Sequence, residues 1–222
     1  YALMLLGLSL QANGPDSPAL RKKVFDITKR AADLGLVRAQ LAIGGYYMDG
    51  DMVPRDIGKA ARYAALAAEQ DSASACLVLA QIYQEGSGIM PDFERADYFY
   101  RRALRMDSSA AEIRYADFLC YERGDKDSCR IAAGYYRKAA EAFSCEAMTR
   151  LAVLYTYGYG VPKDAAQAKF WSQRALATIE RLKPRDAMGY LMRARFWHAA
   201  GCTSEALADL NKAIELQPNL PG

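Results

Sequence analysis

The sequence repeats with a period of 36 residues, and this period restricts the chain to a small class of folds. Two series of small residues recur at that spacing, the second five residues after the first. They are Ala39, Ala75, Ala111 and Ala147, and then Gly44, Ala80, Ala116 and Ala152. A fixed period between about 20 and 50 residues indicates stacked units that cannot bury their apolar faces alone. The chain is therefore predicted to be a repeat array.

Each repeat contains two stretches with helical spacing. In the first stretch, residues that fill volume follow the small residues at plus three: Tyr47, Tyr83, Leu119 and Tyr155. In the second stretch, Ala60, Ala96, Ala133 and Ala168 are followed at plus three by Tyr63, Phe99, Tyr136 and Trp171. Small residues let helix backbones approach closely, and rings fill the remaining space. We expect antiparallel helix hairpins whose aromatic residues pair within the core.

Glycine and aspartate mark the turn inside each hairpin. The glycines expected to end first helices with a positive φ are Gly14, Gly50, Gly86 and Gly158, with Gly88 and Gly160 also in the turns. The residues expected to cap second helices are Asp56, Asp92 and Asp164, and Ser17 before Pro18 gives the same signal near the amino end.

Two segments depart from the period. Ala116 and Ala133 are 17 residues apart instead of 16, and the charged segment Glu122–Asp127 is predicted to form the turn of this hairpin. After Ala175 the spacing breaks, and residues 182–186 (LKPRD) are predicted to be a junction between units.

Composition and charge exclude several classes of function. The 222 residues carry 29 basic and 26 acidic side chains, and both signs are interspersed along the chain. This distribution predicts no nucleic-acid binding. No apolar run reaches the length of a membrane span, so none is expected. The best run, Tyr1–Leu10, is predicted to be the first helix of a pair, and the core of a signal peptide is the alternative.

The cysteines form an odd set of five without CxxC spacing, which disfavours zinc. Each is expected to be a small buried hydrophobic residue. Cys120 and Cys129 flank a predicted turn and are expected to approach one another, so a disulfide there is the alternative in an oxidising compartment. The absence of a pairing pattern favours an intracellular or organellar location, with a mitochondrial one included, over a periplasmic one.

Catalytic chemistry is not indicated. The chain has one histidine, His198, and no nucleophile in a recognisable elbow. The GSG and GYG segments do not extend to phosphate-binding motifs and lie at hairpin turns. We therefore predict no enzyme activity, no catalytic residues, no metal and no cofactor.

The segment AQLAIGGYYMDGDMVPRDIGKAARYAALAAEQD, residues 39–71, resembles the Sel-one-like repeat. Residues 75–107 and 147–177 match the same pattern, the latter through LYTYGYGVPKDAAQAKFW, and residues 111–143 form a degenerate copy. The predicted array is residues 1–182, with the first and fourth hairpins degenerate. Residues 183–222, which include KAIELQP, look like a terminal tetratricopeptide hairpin instead.

The resemblance implies an all-α fold, a right-handed α-solenoid of about six antiparallel helix hairpins, and a role as a non-catalytic scaffold or adaptor. First helices would line a concave face that binds a protein segment or a neighbouring subunit. The predicted contact residues are Gln81, Gln84, Glu85, Asp117, Tyr121, Thr149, Thr156, Tyr157, Arg195 and His198. Gly45 and Met48 hold the corresponding positions in an earlier repeat, and a plain solvated face is the alternative interpretation.

The resemblance to tetratricopeptide domains also excludes one class of partner. The carboxylate clamp of some tetratricopeptide domains needs Lys and Asn in the groove, and Arg195 is the single basic residue at the corresponding positions here. No clamp for chaperone tails is therefore expected. A permanent structural subunit of a large assembly is the second hypothesis. A β-lactam-processing enzyme of the cysteine-rich bacterial type is a third, but this chain lacks a cysteine pair in every repeat.

Overall fold

The described part of the chain consists of helices joined by turns and short loops. The computed structural model describes residues 18–50, 52–86, 90–106, 109–181, 183–199 and 202–217, and these contain eleven α-helices, one π-helical turn and no strand. The predicted all-α architecture of the solenoid class is confirmed. Of the positions named in the sequence analysis, the stretch 1–10 and residues 14, 17, 88 and 182 lie outside the described residues.

The chain divides into two compact units. Residues 1–111 contain α1 (Pro18–Asp33), α2 (Val37–Asp49), α3 (Ile57–Ala68), α4 (Ala73–Glu85), α5 (Phe93–Leu104) and the start of α6 (Ser109–Asp117). Residues 112–222 contain the rest of α6, the π-helical turn Phe118–Arg123, α7 (Lys126–Glu141), α8 (Cys145–Tyr157), α9 (Ala165–Arg181), α10 (Ala187–Ala199) and α11 (Thr203–Leu216).

The repeated small residues form the centre of each unit. In the first unit α2 pairs with α3 and α4 with α5, while α3 also packs against α4. Ala39, Ala60, Ala75, Ala80 and Ala96 are all fully buried there. Alanine at these positions allows the close helix contacts that the period predicts.

The predicted turn chemistry is confirmed at the described positions. Gly50, Gly86 and Gly158 end α2, α4 and α8 in the left-handed conformation. Asp56 and Asp92 cap α3 and α5 by accepting from the amides of Lys59 and Arg95. Asp164 accepts from the amides of Ala166 and Gln167 at the start of α9.

The turns between hairpins share a backbone conformation although their residues differ. Gly35, Asp71 and Phe143 have φ values of 87°, 55° and 66° and lie at multiples of the 36-residue period. A positive φ is costly for a bulky residue such as Phe143. The position in the repeat therefore sets the backbone conformation, whatever side chain is present.

The predicted aromatic pairs form in two hairpins. The rings of Tyr47 and Tyr63 stack with centroids 6.2 Å apart, and those of Tyr83 and Phe99 with centroids 5.7 Å apart. These four rings are half-buried rather than fully buried as expected, and the charged ends of Lys59 and Arg95 lie over the rings of Tyr47 and Tyr83. In α5 the buried ring is the neighbouring Tyr100.

Tyr155 and Trp171 are both buried, but no ring contact between them is recorded in the described residues. Tyr155 instead accepts a hydrogen bond of 2.7 Å from Arg137. The predicted pairing of rings therefore does not extend to this hairpin.

The fourth hairpin has a different turn from the one predicted. Glu122 and Arg123 belong to the π-helical turn, and α7 begins at Lys126, so the loop consists only of Gly124 and Asp125. The amide of Gly124 bonds the carbonyl of Leu119, five residues earlier, whereas the other C-cap glycines bond four residues earlier. The prediction of a charged loop over Glu122–Asp127 is wrong because the charged residues extend the two helices instead.

The short loop brings Cys120 and Cys129 together, as expected. Both thiols are free and buried, and their sulfur atoms are 3.3 Å apart. Cys76 and Cys145 are buried as well, and only Cys202, before α11, is partly exposed. Burial as small hydrophobic residues is therefore confirmed for four of the five.

The last hairpin, α10–α11, has a buried carboxylate in an ion pair where the other hairpins have an aromatic residue. Asp209 is at the position of Tyr63, three residues after a buried alanine, and accepts two hydrogen bonds of 2.7 Å from Arg193. Bidentate pairing of this kind satisfies a buried carboxylate. Residues 183–186 form the irregular junction before this hairpin, as predicted.

Candidate partner-binding surface

In the first unit, the three predicted contact residues lie together on the last turns of α4. Gln81 donates to the carboxylate of Glu85 at 2.6 Å, and the amide oxygen of Gln84 accepts from the hydroxyl of Tyr100 at 2.7 Å. Gln81 and Gln84 are half-buried and Glu85 is exposed. Side chains that are already held lose less conformational entropy when a partner binds.

In the second unit, Asp117 and Tyr121 meet around an arginine that the sequence did not single out. The carboxylate of Asp117 is 3.1 Å from Nε of Arg150, and Arg150 Nη1 donates to the Tyr121 hydroxyl at 3.1 Å. The guanidinium also lies over the Tyr121 ring, 5.2 Å from its centroid. Arg150 therefore fixes the orientation of an exposed tyrosine through a cation–π contact and a hydrogen bond.

A buried tyrosine, Tyr136, is also part of this cluster. The hydroxyl of Tyr136 donates to Asp117 Oδ1 at 2.5 Å, and the Tyr136 ring is fully buried. Burial, with the charge of Asp117, raises the pKa of Tyr136, so the hydroxyl remains a donor. The π-helical turn directly follows Asp117 and carries Tyr121. Turns of this type are often found at functional sites.

Charge within the cluster is balanced. Burial is the largest single effect on Arg150 and lowers its pKa, but Asp117, Tyr121 and Tyr136 together outweigh it, so the net pKa is raised. The partial burial of Tyr121 also raises the pKa of its hydroxyl, against the opposing effect of the Arg150 charge. The cluster therefore presents a charged guanidinium and a neutral phenol, which are groups for recognition rather than for proton transfer near neutral pH.

The predicted residues of α8 differ in what they offer to a partner. The hydroxyls of Thr149 and Thr156 donate to carbonyls of their own helix, at Cys145 and Ala152. The side chain of Tyr157 is 63% exposed and its ring stacks on that of Tyr159, with centroids 5.6 Å apart. Tyr157 and Tyr159 thus form an exposed aromatic pair. Tyr159 was missed because the GYG segment was interpreted only as a turn.

The last two predicted residues, Arg195 and His198, lie at a cleft. Both are exposed on α10, and the cleft has a volume of about 320 Å³. Its other lining residues are Ala194 and, from α11, Thr203, Ala206, Leu207 and Leu210. The lining is mostly aliphatic, with the two basic side chains at its edge.

The structure thus places the predicted set in four local groups: the end of α4, the Asp117 cluster, the end of α8 and the cleft on α10. That these groups act together as a binding face remains a prediction. Within the described residues, no cluster of three or more His, Cys, Asp or Glu side chains could hold a metal ion. None of the helices described is both long and apolar enough to cross a membrane.

Comparisons with solved structures show where this fold recurs. A Sel1 repeat protein from Oxalobacter formigenes aligns with 96% of this chain and 86% of its own, at 24% identity and a TM-score of 0.67. The protective antigen c5321 of uropathogenic Escherichia coli strains, which displays an SLR fold, aligns with 96% of this chain at 23% identity and a TM-score of 0.68. This chain spans only 45% of that antigen's chain. At these identities the likeness shows the fold alone.

The search of curated proteins gave no match. The Sel1 repeat family matches four consecutive segments, residues 37–72, 73–108, 109–142 and 145–177. These segments include the fourth hairpin, in spite of its altered turn, and cover more than half of the chain. The chain therefore belongs to the Sel1 repeat family.

Proposed function

We propose that this chain is a non-catalytic scaffold that binds a protein segment or a neighbouring subunit through the predicted contact residues. Sel1 repeat proteins generally mediate protein–protein interaction. The observation that carries the proposal is a pair of exposed tyrosines held in fixed orientations, Tyr121 by Arg150 and Tyr157 by Tyr159. Rigid, exposed aromatic rings are frequent hot spots of protein interfaces.

The state of the thiols supports the non-catalytic part of the proposal. A reactive cysteine needs a lowered pKa and access to solvent. Burial instead raises the pKa of Cys76, Cys120 and Cys145, and for Cys120 the value is about 12. These thiols act as core residues and not as nucleophiles.

Affinity capture from the native source tests the proposal. We expect that replacing Gln84, Tyr121 and Tyr157 together by Ala abolishes retention of the partner, while circular dichroism shows that the variant is still folded. The matched control replaces Gln173, Tyr98 and Phe170, which are exposed residues of second helices. Equal loss of the partner in both variants, or full retention by the first, would contradict the proposal.

A permanent subunit of an assembly is the second candidate, and one observation favours it. Leu207 and Ile214 of α11 are 55% and 56% exposed. Aliphatic side chains aligned on one helix face usually mark a contact surface. Sedimentation of the purified chain distinguishes the candidates, because an adaptor remains monomeric whereas an obligate subunit aggregates without its neighbours.

A further inference from the structure

The cleft on the last hairpin has an equivalent in the first unit, where side chains of the following helix fill it. Helix α11 can be aligned with α3, since Ala206 and Ala213 are buried at the same seven-residue spacing as Ala60 and Ala67. In the preceding helices, Ala194 of α10 corresponds to Gly44 of α2. Positions in the two hairpins can therefore be compared one by one.

In the first unit this place is occupied by two side chains of the next helix. Val78 and Ile82 of α4 belong to a hydrophobic cluster with Ile57, Ala60 and Ala61 of α3. Val78 and Ile82 are one helical turn apart, so a single face of α4 supplies both.

The counterparts in the last hairpin line the cleft. Thr203, Ala206 and Leu207 correspond to Ile57, Ala60 and Ala61, and all three are lining residues. On the preceding helix, His198 of the cleft corresponds to Met48, which packs against the same cluster. The cleft is therefore the equivalent of the slot that receives Val78 and Ile82, and no described helix covers it.

Three side chains of α11 in and beside the cleft are larger and more exposed than their counterparts in the first unit. Leu210 and Ile214 correspond to Ala64 and Ala68, which are only 1% and 2% exposed beneath the following helix. Leu207, Leu210 and Ile214 thus present a stripe of aliphatic side chains along α11. Such a stripe is typical of a helix face that packs against another element.

The edge of the cleft adds a charge preference. Arg195 has no ion-pair partner among the described residues, whereas the nearby Arg193 and Lys212 are paired with Asp209 and Glu215. Arg195 is also exposed. An acidic side chain beside the bound apolar residues would complement this positive charge.

We propose that this cleft binds an amphipathic α-helix of a partner protein, which presents two aliphatic side chains one turn apart and an acidic residue beside them. The proposal rests on the scaffold function and specifies the chemistry of one partner. The two aliphatic side chains enter the cleft between α10 and α11, and the rest of the helix covers Leu210 and Ile214. The acidic residue pairs with Arg195.

The chain itself supplies a probe. A fluorescent peptide with the sequence of α4, Ala73–Glu85, with Cys76→Ser and a lactam bridge on the face opposite Val78 and Ile82, carries the required pair and ends in an acidic residue. Short isolated helices are marginal in water, so the bridge is needed. We expect saturable binding by fluorescence anisotropy. The control peptide carries Val78→Asp and Ile82→Asp and should not bind.

Variants of the full chain locate the binding. Leu207→Asp should weaken peptide binding at least tenfold, and Arg195→Glu severalfold with a reduced salt dependence. Ile131→Asp, on α7, is the matched control because Ile131 is also an exposed aliphatic residue, at 48%. Melting curves establish that each variant is folded. Unchanged binding by Leu207→Asp would overturn the proposal.

Two further outcomes distinguish a partner helix from a second copy of the chain, and the cleft proposal from the scaffold proposal. Self-association of the chain that is lost in Leu207→Asp would overturn the foreign helix in favour of a second copy. The variant with Gln84, Tyr121 and Tyr157 replaced by Ala should bind the peptide normally. If the peptide fails to bind wild-type chain that still captures its native partner through those residues, only the cleft proposal is wrong.

Discussion

The third hairpin, α4–α5, and the fourth, formed by α6, the π-helical turn and α7, share one repeat period but are stabilised differently. In the third, the half-buried rings of Tyr83 and Phe99 stack on one another. In the fourth, Leu119 replaces the first ring, and Tyr136 is buried and bonded to Asp117. The exchange replaces a contact between rings with a polar network.

The two hairpins agree where their helices touch most closely. Ala80, Ala96 and Ala103 in the third hairpin and Ala116 and Ala140 in the fourth are all fully buried. The small residues thus preserve the packing of the repeat, while the positions around them vary. In the fourth hairpin that variation produces a fixed polar surface that includes Tyr121.

The sharpest test of this difference truncates the second-helix ring in each hairpin. Tyr136→Ala should lower the free energy of unfolding by about 3–5 kcal/mol, because the ring is fully buried. Phe99→Ala should cost less, since its ring is half-buried. Urea unfolding followed by circular dichroism measures both. Equal losses of unfolding free energy in the two variants would contradict this difference between the hairpins.

The glycines that end the first helices should also differ. A Cβ on Gly86 would lie 2.5 Å from the ring of Pro91, in addition to the cost of φ +62°. Gly86→Ala should therefore destabilise by about 3 kcal/mol, the sum of left-handed strain and overpacking. At Gly124 the nearest atom is 3.9 Å away, so Gly124→Ala should cost about 1–2 kcal/mol of strain alone. Thermal melts give the order, and a larger effect at Gly124 would contradict it.

Removing the carboxylate of the polar network should have a moderate effect. Asp117→Ala leaves the Tyr136 hydroxyl and the Arg150 guanidinium without this partner, at a cost of about 1–3 kcal/mol. In a Tyr136→Phe background the cost should be smaller, because one of the two partners is already absent. A double-mutant cycle measures this coupling, and simple additivity of the two changes would exclude it.

The smallest expected effect concerns the thiols. Burial raises the pKa of Cys120 to about 12, so at pH 8 its thiol is in the neutral, unreactive form. Iodoacetamide should modify the partly exposed Cys202 first. Since the unfolded thiol ionises near pH 9.0, the stability due to the neutral Cys120 is present below that pH and lost as pH rises toward 12. Peptide mapping after alkylation gives the order of reaction.

Local chemistry explains which parts of the fold could be predicted. The capping aspartates Asp56 and Asp92 and the C-cap glycines Gly50 and Gly86 act within a few residues, so sequence alone locates them. The turn of the fourth hairpin was predicted wrongly because charged residues suit an exposed helix end as well as a loop.

The candidate surface was less predictable because it depends on contacts between distant residues. Arg150 is 33 residues from Asp117, and nothing in its own helix marks it as a partner. The cleft between α10 and α11 is open because no described helix packs against this face of α11, and the order of residues does not reveal that. The large residues Leu207 and Ile214, at positions that hold alanine in α3, are the signal that could have indicated it.

The π-helical turn has a consequence for how this repeat tolerates mutation. An inserted residue in a regular α-helix rotates everything beyond it by about 100°, which would move apolar side chains out of the core. A wider turn absorbs the extra residue locally, so Leu119 and Cys120 remain buried. The fourth hairpin in this way accommodates an additional residue within a helix rather than in its loop, while its small residues keep their buried positions.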